Sequence, residues 1–259
     1  MSLDKKQIEL FLGDLSKELS ITVYKKIDST NTQAKLAAES GVVGRAIFTA
    51  SEQTAGRGRL GRSFTSNKDK GLYLSILLSE DLPADFATSL TTYMAVIATR
   101  AIRALTPLTP SIKWVNDIYV GGKKLAGILT EGKAKCEGTL AYAVVGIGIN
   151  LLSQQFPDEL KAIATTVEDE CGERLDPSEL SALIVKEFFG NLHLVGTATL
   201  AEEYRAHSFL IGKRVNVIKP TSTYEATVTG ITDKCELILD LGDGTTEALS
   251  TGEVSVRQI

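Results

Sequence analysis

The stretch GRGRLGRSFTSNKDKGLYLSILL, residues 56–78, decides between two classes of fold. Its glycines Gly56, Gly58 and Gly61 stand in the order G-x-G-x-x-G. In dinucleotide-binding folds that motif leads directly into a helix whose N-terminus faces a pyrophosphate. Here a polar loop leads instead into an apolar, β-prone run that begins near Gly71. Because no helical pattern follows the glycines, we predict that the chain does not have a dinucleotide-binding fold.

The arginines of this stretch leave other interpretations open. A nucleic-acid patch would be accompanied by more lysine, interleaved aromatic residues and a basic domain, whereas the net charge is −4. Glycine and arginine together also suit a solvated surface loop. Against that reading, Arg57, Arg59 and Arg62 repel one another, and the glycines leave backbone amides open to an anion. We therefore favour a loop that a phosphate or carboxylate ligand organises.

Length and composition indicate one sizeable domain, or a large domain with a small appendage, since the chain has 259 residues and is 43% hydrophobic. The net charge of −4 offers no broad basic surface for nucleic acid or anionic lipid. Cys136, Cys171 and Cys235, with only His193 and His207 beside them, indicate neither a disulfide framework nor a zinc site. The sequence has no apolar signal segment and no apolar run of membrane-spanning length. We expect a soluble, cytoplasmic protein with reduced thiols.

Periodicity predicts alternating helices and strands along most of the chain. Apolar residues at helical spacing predict one helix over residues 5–19, and Ser29 or Thr30 can cap a helix that stops at Gly41. Further predicted elements are strands at 21–31, 44–53 and 70–80, a long helix at 85–105, strand-like runs at 111–120, 123–132 and 139–151, and helices at 176–195 and 199–208 with Asp176 or Ser178 as a cap. The three consecutive strand-like runs predict an antiparallel meander.

The pattern changes from about Leu210, where residues alternate at period two between frequent turns. Such alternation is typical of a small all-β barrel. We therefore predict an α+β chain in three parts. An N-terminal helix in residues 1–20 packs on the main domain, a mixed or antiparallel sheet with helices occupies residues 21–208, and a β unit occupies residues 209–259.

A second concentration of charge lies on the predicted hairpin of residues 113–131. Gly121, Gly122 and Lys123 are explained by a hairpin turn alone. Lys124 is not, because it opens an apolar strand from which its ammonium can reach a phosphate. Asn116 and Asp117 suit turn chemistry and equally suit the binding of a metal or an amine.

Together these stretches resemble the biotin protein ligase family. The motifs are DSTN at 28–31, GRGRLGR at 56–62, KWVND at 113–117, KLAGIL at 124–129 and GIGIN at 146–150, in the family's order and at roughly its spacing. The resemblance implies a catalytic domain of the class II synthetase-like biotin/lipoate ligase type, followed by a small SH3-like β domain. It extends from about Ile21 to the C-terminus.

The resemblance also implies a two-step reaction. The biotin carboxylate attacks the α-phosphate of ATP, with Mg²⁺, to form biotinyl-5′-AMP and pyrophosphate. A lysine of a biotin carboxyl carrier domain then takes the biotinyl group. Two alternatives stay open, a lipoate protein ligase with the same adenylate chemistry and a non-catalytic protein that binds biotin or its adenylate.

Site residues are implied by matching the motifs position by position. For biotin they are Ser29, Thr30, Asn31, Gln53, Gly56, Arg57, Lys124 and Gly127, and for ATP and the adenylate Arg57, Arg59, Phe64, Asn116, Lys124 and Asn150. The implied catalytic residues are Arg59, Asn116, Asp117 and Lys124. Lys124 is expected to span the biotin carboxylate and the α-phosphate. No metal ligand is assigned firmly, although Asp117 can border a magnesium ion carried on the phosphates.

The sequence departs from the family where Leu60, Val115 and Phe64 stand, positions that in the family often hold arginine, proline and tryptophan. Phe64 offers adenine less stacking surface than tryptophan does. Bifunctional members carry an N-terminal DNA-binding domain, which needs several helices and a wing. Since one helix is predicted in residues 1–20, we expect a monofunctional enzyme that does not bind DNA, either monomeric or homodimeric.

Overall fold

The structure is a computed structural model that describes residues 2–80, 82–135, 138–219, 222–250 and 255–258. At the N-terminus, helix α1 (Lys5–Leu12) packs on helix α6 (Pro177–Gly190). The prediction of one helix over residues 5–19 is wrong beyond Leu12. The helix ends at Gly13, which adopts a φ of 63°, and a 3-10 segment (Gly13–Glu18) continues the chain.

A large mixed sheet forms the centre of the main domain. Its strands are β1 (Ser20–Tyr24), β2 (Gly44–Ala50), β3 (Gly71–Ser79), β4 (Leu82–Pro83), β5 (Ser111–Lys113), β6 (Asp117–Val120), β7 (Lys123–Ala134) and β8 (Thr139–Asn150). The strand order is β1-β2-β3-β8-β7-β6-β5, with β4 paired to β8. Strands β1 and β2 are parallel, and the other neighbours are antiparallel. The predicted α+β class and the predicted meander are confirmed.

The predicted strand over residues 111–120 is a hairpin and not one strand. Strands β5 and β6 pair antiparallel with Lys113 opposite Asp117, so residues 114–116 form the turn between them. The run contains no glycine or proline to mark this turn. Trp114 and Val115 stand there instead, and both are core residues, 5% and 1% exposed. Burial of these two side chains stabilises the turn without the glycine or proline that turns usually contain.

Helices cover both faces of the sheet. The remaining helices are α2 (Thr30–Glu39), α3 (Ala84–Leu105), α4 (Asp158–Lys161), α5 (Val167–Cys171) and α7 (Ala198–His207). Helix α3 packs on β7 and β8 within the principal core, whereas α2 places Ala34 against Phe48 and Val144 on the opposite face. Ser29 occupies the N-cap position of α2 without a capping hydrogen bond from its side chain, whereas the Asp176 carboxylate caps α6 by accepting from the Ser178 amide at 2.8 Å.

The C-terminal unit is a five-stranded antiparallel sheet, as expected for the predicted β domain. Its strands are β9 (Arg214–Ile218), β10 (Thr223–Ile231), β11 (Leu237–Asp240), β12 (Thr246–Leu249) and β13 (Ser255–Gln258), in the order β12-β11-β10-β9-β13. Within the described residues, no helix is long and apolar enough to span a membrane. Cys171 and Cys235 are free thiols, and Cys136 lies outside the described residues.

Candidate active site

The glycine-arginine loop folds back on itself as a narrow hairpin between β2 and β3. The Gly58 amide donates to the Arg62 carbonyl at 2.7 Å, and the Phe64 amide donates to the Gly56 carbonyl at 2.9 Å. A 3-10 turn (Arg59–Gly61) forms the tip. As predicted, no helix follows the glycines, so the loop presents its side chains and not a helix N-terminus to the site.

Gly56 is required at the base of this hairpin. A Cβ atom there would overlap the Phe64 carbonyl oxygen and lie 2.5 Å from Ser66 Oγ. Any larger residue would push apart the two arms of the loop. The close approach of the two arms explains the first glycine of the motif without a phosphate contact.

A chain of neutral polar groups connects the start of α2 to the loop. Gln53 Oε1 accepts from the Thr30 amide at 2.8 Å and from the Thr30 hydroxyl at 3.1 Å. Gln53 Nε2 in turn donates to Ser66 Oγ at 2.9 Å. The Ser75 hydroxyl, which is buried on β3, lies 2.8 Å from Thr30 Oγ1. Donors and acceptors fixed in this way suit an uncharged polar ligand.

Asn31 is held by hydrogen bonds from three sides. Its amide nitrogen donates to the Leu129 carbonyl at 3.2 Å and to Glu131 Oε2 at 3.0 Å, and its Oδ1 accepts from Ser75 Oγ at 2.6 Å. A Cβ atom at Gly146 would overlap the Asn31 carboxamide. Gly146 therefore provides the space into which this side chain is fitted.

Glu131 gathers positive charge beside Asn31. Lys35 Nζ lies 2.7 Å from Glu131 Oε1, and Arg57 Nη2 lies 3.3 Å from the same oxygen. Burial favours the neutral carboxyl, but the hydrogen bonds from Lys35 and Asn31 and the charge of Arg57 outweigh burial and lower the pKa of Glu131. These contacts hold the Arg57 guanidinium beside Asn31 and Glu131.

A cationic centre lies where β6 and β7 pair. Lys124 Nζ is 2.7 Å from Asp117 Oδ1, and both side chains are mostly shielded, with 32% and 22% exposed. A Cβ atom at Gly127 would lie 3.2 Å from Lys124 Nζ, so this glycine lets the ammonium lie close to the strand. An ion pair that is two-thirds buried interacts more strongly than a surface pair.

The loop reaches this centre through Arg59. Its Nη1 donates to Asn116 Oδ1 at 3.1 Å, and Asn116 Nδ2 donates to the Ile128 carbonyl at 2.9 Å. Burial lowers the pKa of Arg59, and the nearby Asp117 carboxylate acts in the opposite direction. The guanidinium is thus partly desolvated beside Lys124 and Asp117, where an anion gains most from it.

Comparisons with known proteins agree with this geometry. The model of the Biotin/lipoate A/B protein ligase family matches residues 23–150, and that of the Biotin protein ligase C terminal domain matches residues 210–257. The biotin–(acetyl-CoA-carboxylase) ligase of Mycobacterium tuberculosis is 31% identical over 242 residues, which cover 90% of this chain and 88% of that protein. This chain belongs to the biotin protein ligase family.

Two further relatives support this membership. The bifunctional ligase/repressor BirA of Bacillus spizizenii is 32% identical over 223 residues, which cover 84% of this chain and 68% of that protein. The structure of the biotin protein ligase from Aquifex aeolicus in complex with biotin and ATP superimposes with a TM-score of 0.77 at 26% identity, covering 93% of this chain and 99% of that one. The observed sheet, helices and C-terminal unit are thus the architecture of a biotin ligase.

Most residues expected to bind biotin line one pocket on the α2 face of the sheet. The expected residues in its lining are Ser29, Thr30, Asn31, Gln53, Arg57 and Gly127, joined by Phe64 from the adenylate group. Gly56 lies at the base of the loop beside Gln53, outside the lining. Lys124 borders the pocket through Gly127, where the cationic centre begins.

Two residues that are expected to bind the nucleotide, Phe64 and Asn150, lie at the C-terminal end of β8. The Phe64 ring covers Gly148, where a Cβ atom would lie 2.5 Å from the ring. Asn150 continues the same face of β8, and its Nδ2 donates to the Thr165 carbonyl at 3.1 Å. Among the described residues no group of three or more His, Cys, Asp and Glu side chains is arranged to hold a metal ion.

The sequence did not indicate several residues of the site. Ser75 and Glu131 stand within predicted strands, and Gly146 and Gly148 stand within the GIGIN motif, without a pattern that marks them individually. For Ser75 a local signal existed, because a serine in the apolar run of β3 is a buried polar residue that needs a partner. For Glu131 no local signal separates it from the exposed residues that end β7.

Proposed function

We propose that this chain activates biotin with ATP to biotinyl-5′-AMP and then transfers the biotinyl group to a lysine of a biotin carboxyl carrier domain. The arrangement that carries the proposal is the position of Lys124. Its ammonium lies at the border between a pocket of neutral polar groups and the centre formed by Arg59, Asn116 and Asp117. A carboxylate from the pocket side and a phosphate from the other side meet at this lysine.

The biotin ring fits the neutral part of the pocket. Its ureido group offers one carbonyl acceptor and two N–H donors, which match the hydroxyl and carboxamide groups of Thr30, Asn31 and Gln53. The valeryl chain then runs over Gly127, where the strand has no side chain. In this pose the carboxylate ends beside Lys124 and Arg57.

Adenylation requires two anions to approach each other. Lys124 and Arg59 offset the charge on the carboxylate and the α-phosphate, and their partial burial strengthens this attraction. Asp117 holds the Lys124 ammonium in place before the substrates bind. Phe64 and Asn150 take the adenine as a stacking surface and a hydrogen-bonding group.

Magnesium fits this site as an ion carried on the nucleotide. Mg²⁺ would neutralise phosphate charge, with Asp117 as the neighbouring carboxylate. Asp117 is engaged by Lys124, which is consistent with an ion held chiefly by phosphate oxygens and water. In the transfer step the Asp117 carboxylate would attract the incoming lysine ammonium and accept its proton, so that the neutral amine attacks the carbonyl of the adenylate and AMP leaves.

The proposal includes a division of the chain. Residues 1–20 pack on the catalytic domain, residues 21–208 form that domain, and residues 209–259 form the C-terminal domain. The chain is proposed to act in the cytoplasm on a carrier protein, as a monomer or homodimer and without binding DNA.

Biotin-dependent exchange of labelled pyrophosphate into ATP tests this function. The parent protein should catalyse exchange with biotin and not with lipoate. Lys124→Ala should reduce exchange by ~10² or more, the scale of losing one preorganised charge contact. Lys123→Ala, which removes the neighbouring exposed lysine, is the matched control and should exchange like the parent. Exchange supported by lipoate alone, or a fully active Lys124→Ala, would contradict the proposal.

A further inference from the structure

Glu131 stands behind the pocket that we propose for biotin. Its Oε2 accepts from Asn31 Nδ2 at 3.0 Å, and its Oε1 lies 3.3 Å from Arg57 Nη2. Asn31 and Arg57 belong to the pocket lining, whereas Glu131 lies outside it. Neither Glu131 nor Ser75, the buried serine on the other side of Asn31, belongs to the motifs that resemble the family. Their contacts give these two residues a role that the motifs do not describe.

The Glu131 carboxylate fixes the direction in which the Asn31 carboxamide points. An ionised carboxylate only accepts hydrogen bonds, and the lowered pKa of Glu131 keeps it ionised at neutral pH. Asn31 therefore directs its NH₂ group toward Glu131, and the Leu129 carbonyl takes the second hydrogen at 3.2 Å. The carboxamide oxygen is left facing Ser75 Oγ at 2.6 Å. Asn31 thus meets Ser75 as an acceptor.

Ser75 passes this direction on to Thr30. A serine hydroxyl has one proton, and the Asn31 oxygen, which cannot donate, takes it. Toward Thr30 Oγ1, at 2.8 Å, the Ser75 oxygen can therefore only accept. The other neighbour of the Thr30 hydroxyl is Gln53 Oε1 at 3.1 Å, which is also an acceptor. Neither of these neighbours donates to the Thr30 oxygen, so this oxygen keeps lone pairs for the pocket that Thr30 lines.

We propose that Glu131 sets the hydrogen-bond polarity of the pocket wall. It acts through Asn31 and Ser75, so that the Thr30 oxygen accepts from an N–H group of the ureido ring. A donor in the same place would face that N–H group and leave it unpaired, which a buried site penalises. Glu131 is a positioning residue, because it acts through this chain of hydrogen bonds and does not touch the substrate. This inference rests on the proposed function.

Only a carboxylate can serve both sides of this arrangement. Lys35 Nζ, at 2.7 Å, and Arg57 contact Oε1, while Asn31 contacts Oε2. In Glu131→Gln the carboxamide has one acceptor oxygen, which turns toward the two cations because they only donate. Its NH₂ group then faces Asn31, whose own carboxamide must turn and present NH₂ to Ser75. The direction of the chain reverses, and the pocket wall loses its acceptor.

Titration calorimetry with two ligands measures this role. Biotin carries the ureido ring and a carboxylate, whereas biotin methyl ester carries the same ring without the charge. Glu131→Gln should weaken the binding of both ligands about tenfold, the scale of one hydrogen bond lost in a buried site. If Glu131 acted mainly by restraining Arg57, the change would appear with biotin and not with the neutral ester. Such a difference between the two ligands would overturn the proposal.

Ser75→Ala tests the route from Glu131 to the pocket. This variant interrupts the chain and leaves the contacts of Glu131 with its cations intact. In the Ser75→Ala background, Glu131→Gln should cause little further loss of affinity for either ligand, because the reversal of Asn31 no longer reaches Thr30. Equal losses with and without Ser75 would also overturn the proposal, since Glu131 would then act on the pocket by another path.

Glu39→Gln is the matched control for the change of charge. Glu39 is the last residue of α2, and its side chain is 45% exposed, 3.6 Å from Lys133 Nζ and outside the pocket lining. This variant removes the same charge and should bind both ligands like the parent. Thermal unfolding midpoints above the titration temperature show that each variant is folded.

Failure of the proposed function gives a different result. A parent protein that binds neither ligand, or that binds biotin without biotin-dependent pyrophosphate exchange, contradicts the proposed function whatever the variants do. An unchanged affinity of Glu131→Gln for both ligands, with a parent that binds biotin and catalyses exchange, overturns this inference alone.

Discussion

Gly148 shows how a missing side chain shapes the end of the site that we propose for the nucleotide. The Phe64 ring rests on this glycine and meets Tyr73 edge-on at a centroid distance of 6.5 Å. The ring therefore lies against the backbone of β8, two residues before Asn150. Glycine stands at alternate positions of the GIGIN motif because Gly146 and Gly148 lie on the same face of the strand, where Asn31 and the Phe64 ring occupy the space of their side chains.

Gly148→Ala should weaken ATP binding. The new Cβ atom would lie 2.5 Å from the Phe64 ring, so the ring must move away from the position in which we propose that adenine stacks on it. Overpacking of this kind costs about 1–3 kcal/mol, so we expect the KM for ATP in the exchange reaction to rise about tenfold. Gly230→Ala is the control, since its nearest neighbour would be 3.6 Å away. An unaltered KM for ATP in Gly148→Ala would contradict this role of the ring.

At the scale of elements, the turn at residues 114–116 is held from behind by two other parts of the chain. The Tyr204 hydroxyl of α7 donates to the Val115 carbonyl at 3.0 Å. Trp114 Nε1 donates to the carbonyl of Cys235, in the C-terminal unit, at 2.8 Å. Burial raises the pKa of Tyr204, so its hydroxyl stays a donor. These bonds fix the backbone that carries Asn116 into the site.

Tyr204→Phe should lower the rate of adenylation. Loss of the hydroxyl leaves the buried Val115 carbonyl unpaired, which costs about 1–3 kcal/mol and loosens the turn next to Asn116. We expect kcat for exchange to fall about tenfold, while the KM for biotin stays close to the parent value because the pocket is untouched.

Tyr93→Phe provides the matched control for this change. Tyr93 is equally buried, and its hydroxyl donates to the Phe188 carbonyl at 2.5 Å, away from the site. Both variants should lose similar stability on urea unfolding, but Tyr93→Phe should keep its kcat. If the two variants lost kcat alike, Tyr204 would be a structural residue only.

At the scale of the whole molecule, Glu131 connects parts that are distant in the sequence. It joins Asn31 and Lys35 of α2 and Arg57 of the loop to strand β7. Its carboxylate is 19% exposed, so these charges interact with limited screening by water. Because its pKa is lowered in the folded protein, the unfolded chain binds the proton more readily.

The stability of the protein should therefore fall in acid partly through Glu131. A carboxyl with a lowered folded pKa stabilises the native state above its unfolded pKa, ordinarily 4.5, and this contribution disappears as the pH falls through the folded value. Glu131→Gln should be less stable than the parent at pH 7, and the difference should shrink below about pH 4.5. Urea unfolding from pH 7 to pH 3.5 measures it. A constant difference would show that the Glu131 charge does not contribute.

Local pattern was sufficient for most elements of the fold. Helix α3 and strands β3, β7 and β8 were predicted because their apolar periodicity is long and uninterrupted. The local pattern gave a wrong prediction at Gly13, where the apolar spacing continues although the helix ends. It did so again at residues 114–116, where buried side chains occupy a turn. At Gly13 the left-handed φ of 63° ends the helix, whereas at residues 114–116 the hydrogen bonds to Cys235 and Tyr204 outweigh the local preference.

The sequence by itself determined the order of the elements and the chemical groups of the site, because periodicity and short motifs are properties of neighbouring residues. Only the tertiary structure decided which groups meet. Glu131 reaches Asn31 across a separation of 100 residues, and Trp114 reaches Cys235 across 121. Such contacts depend on strand order and on the side of the sheet that each helix covers, which no local stretch of sequence encodes.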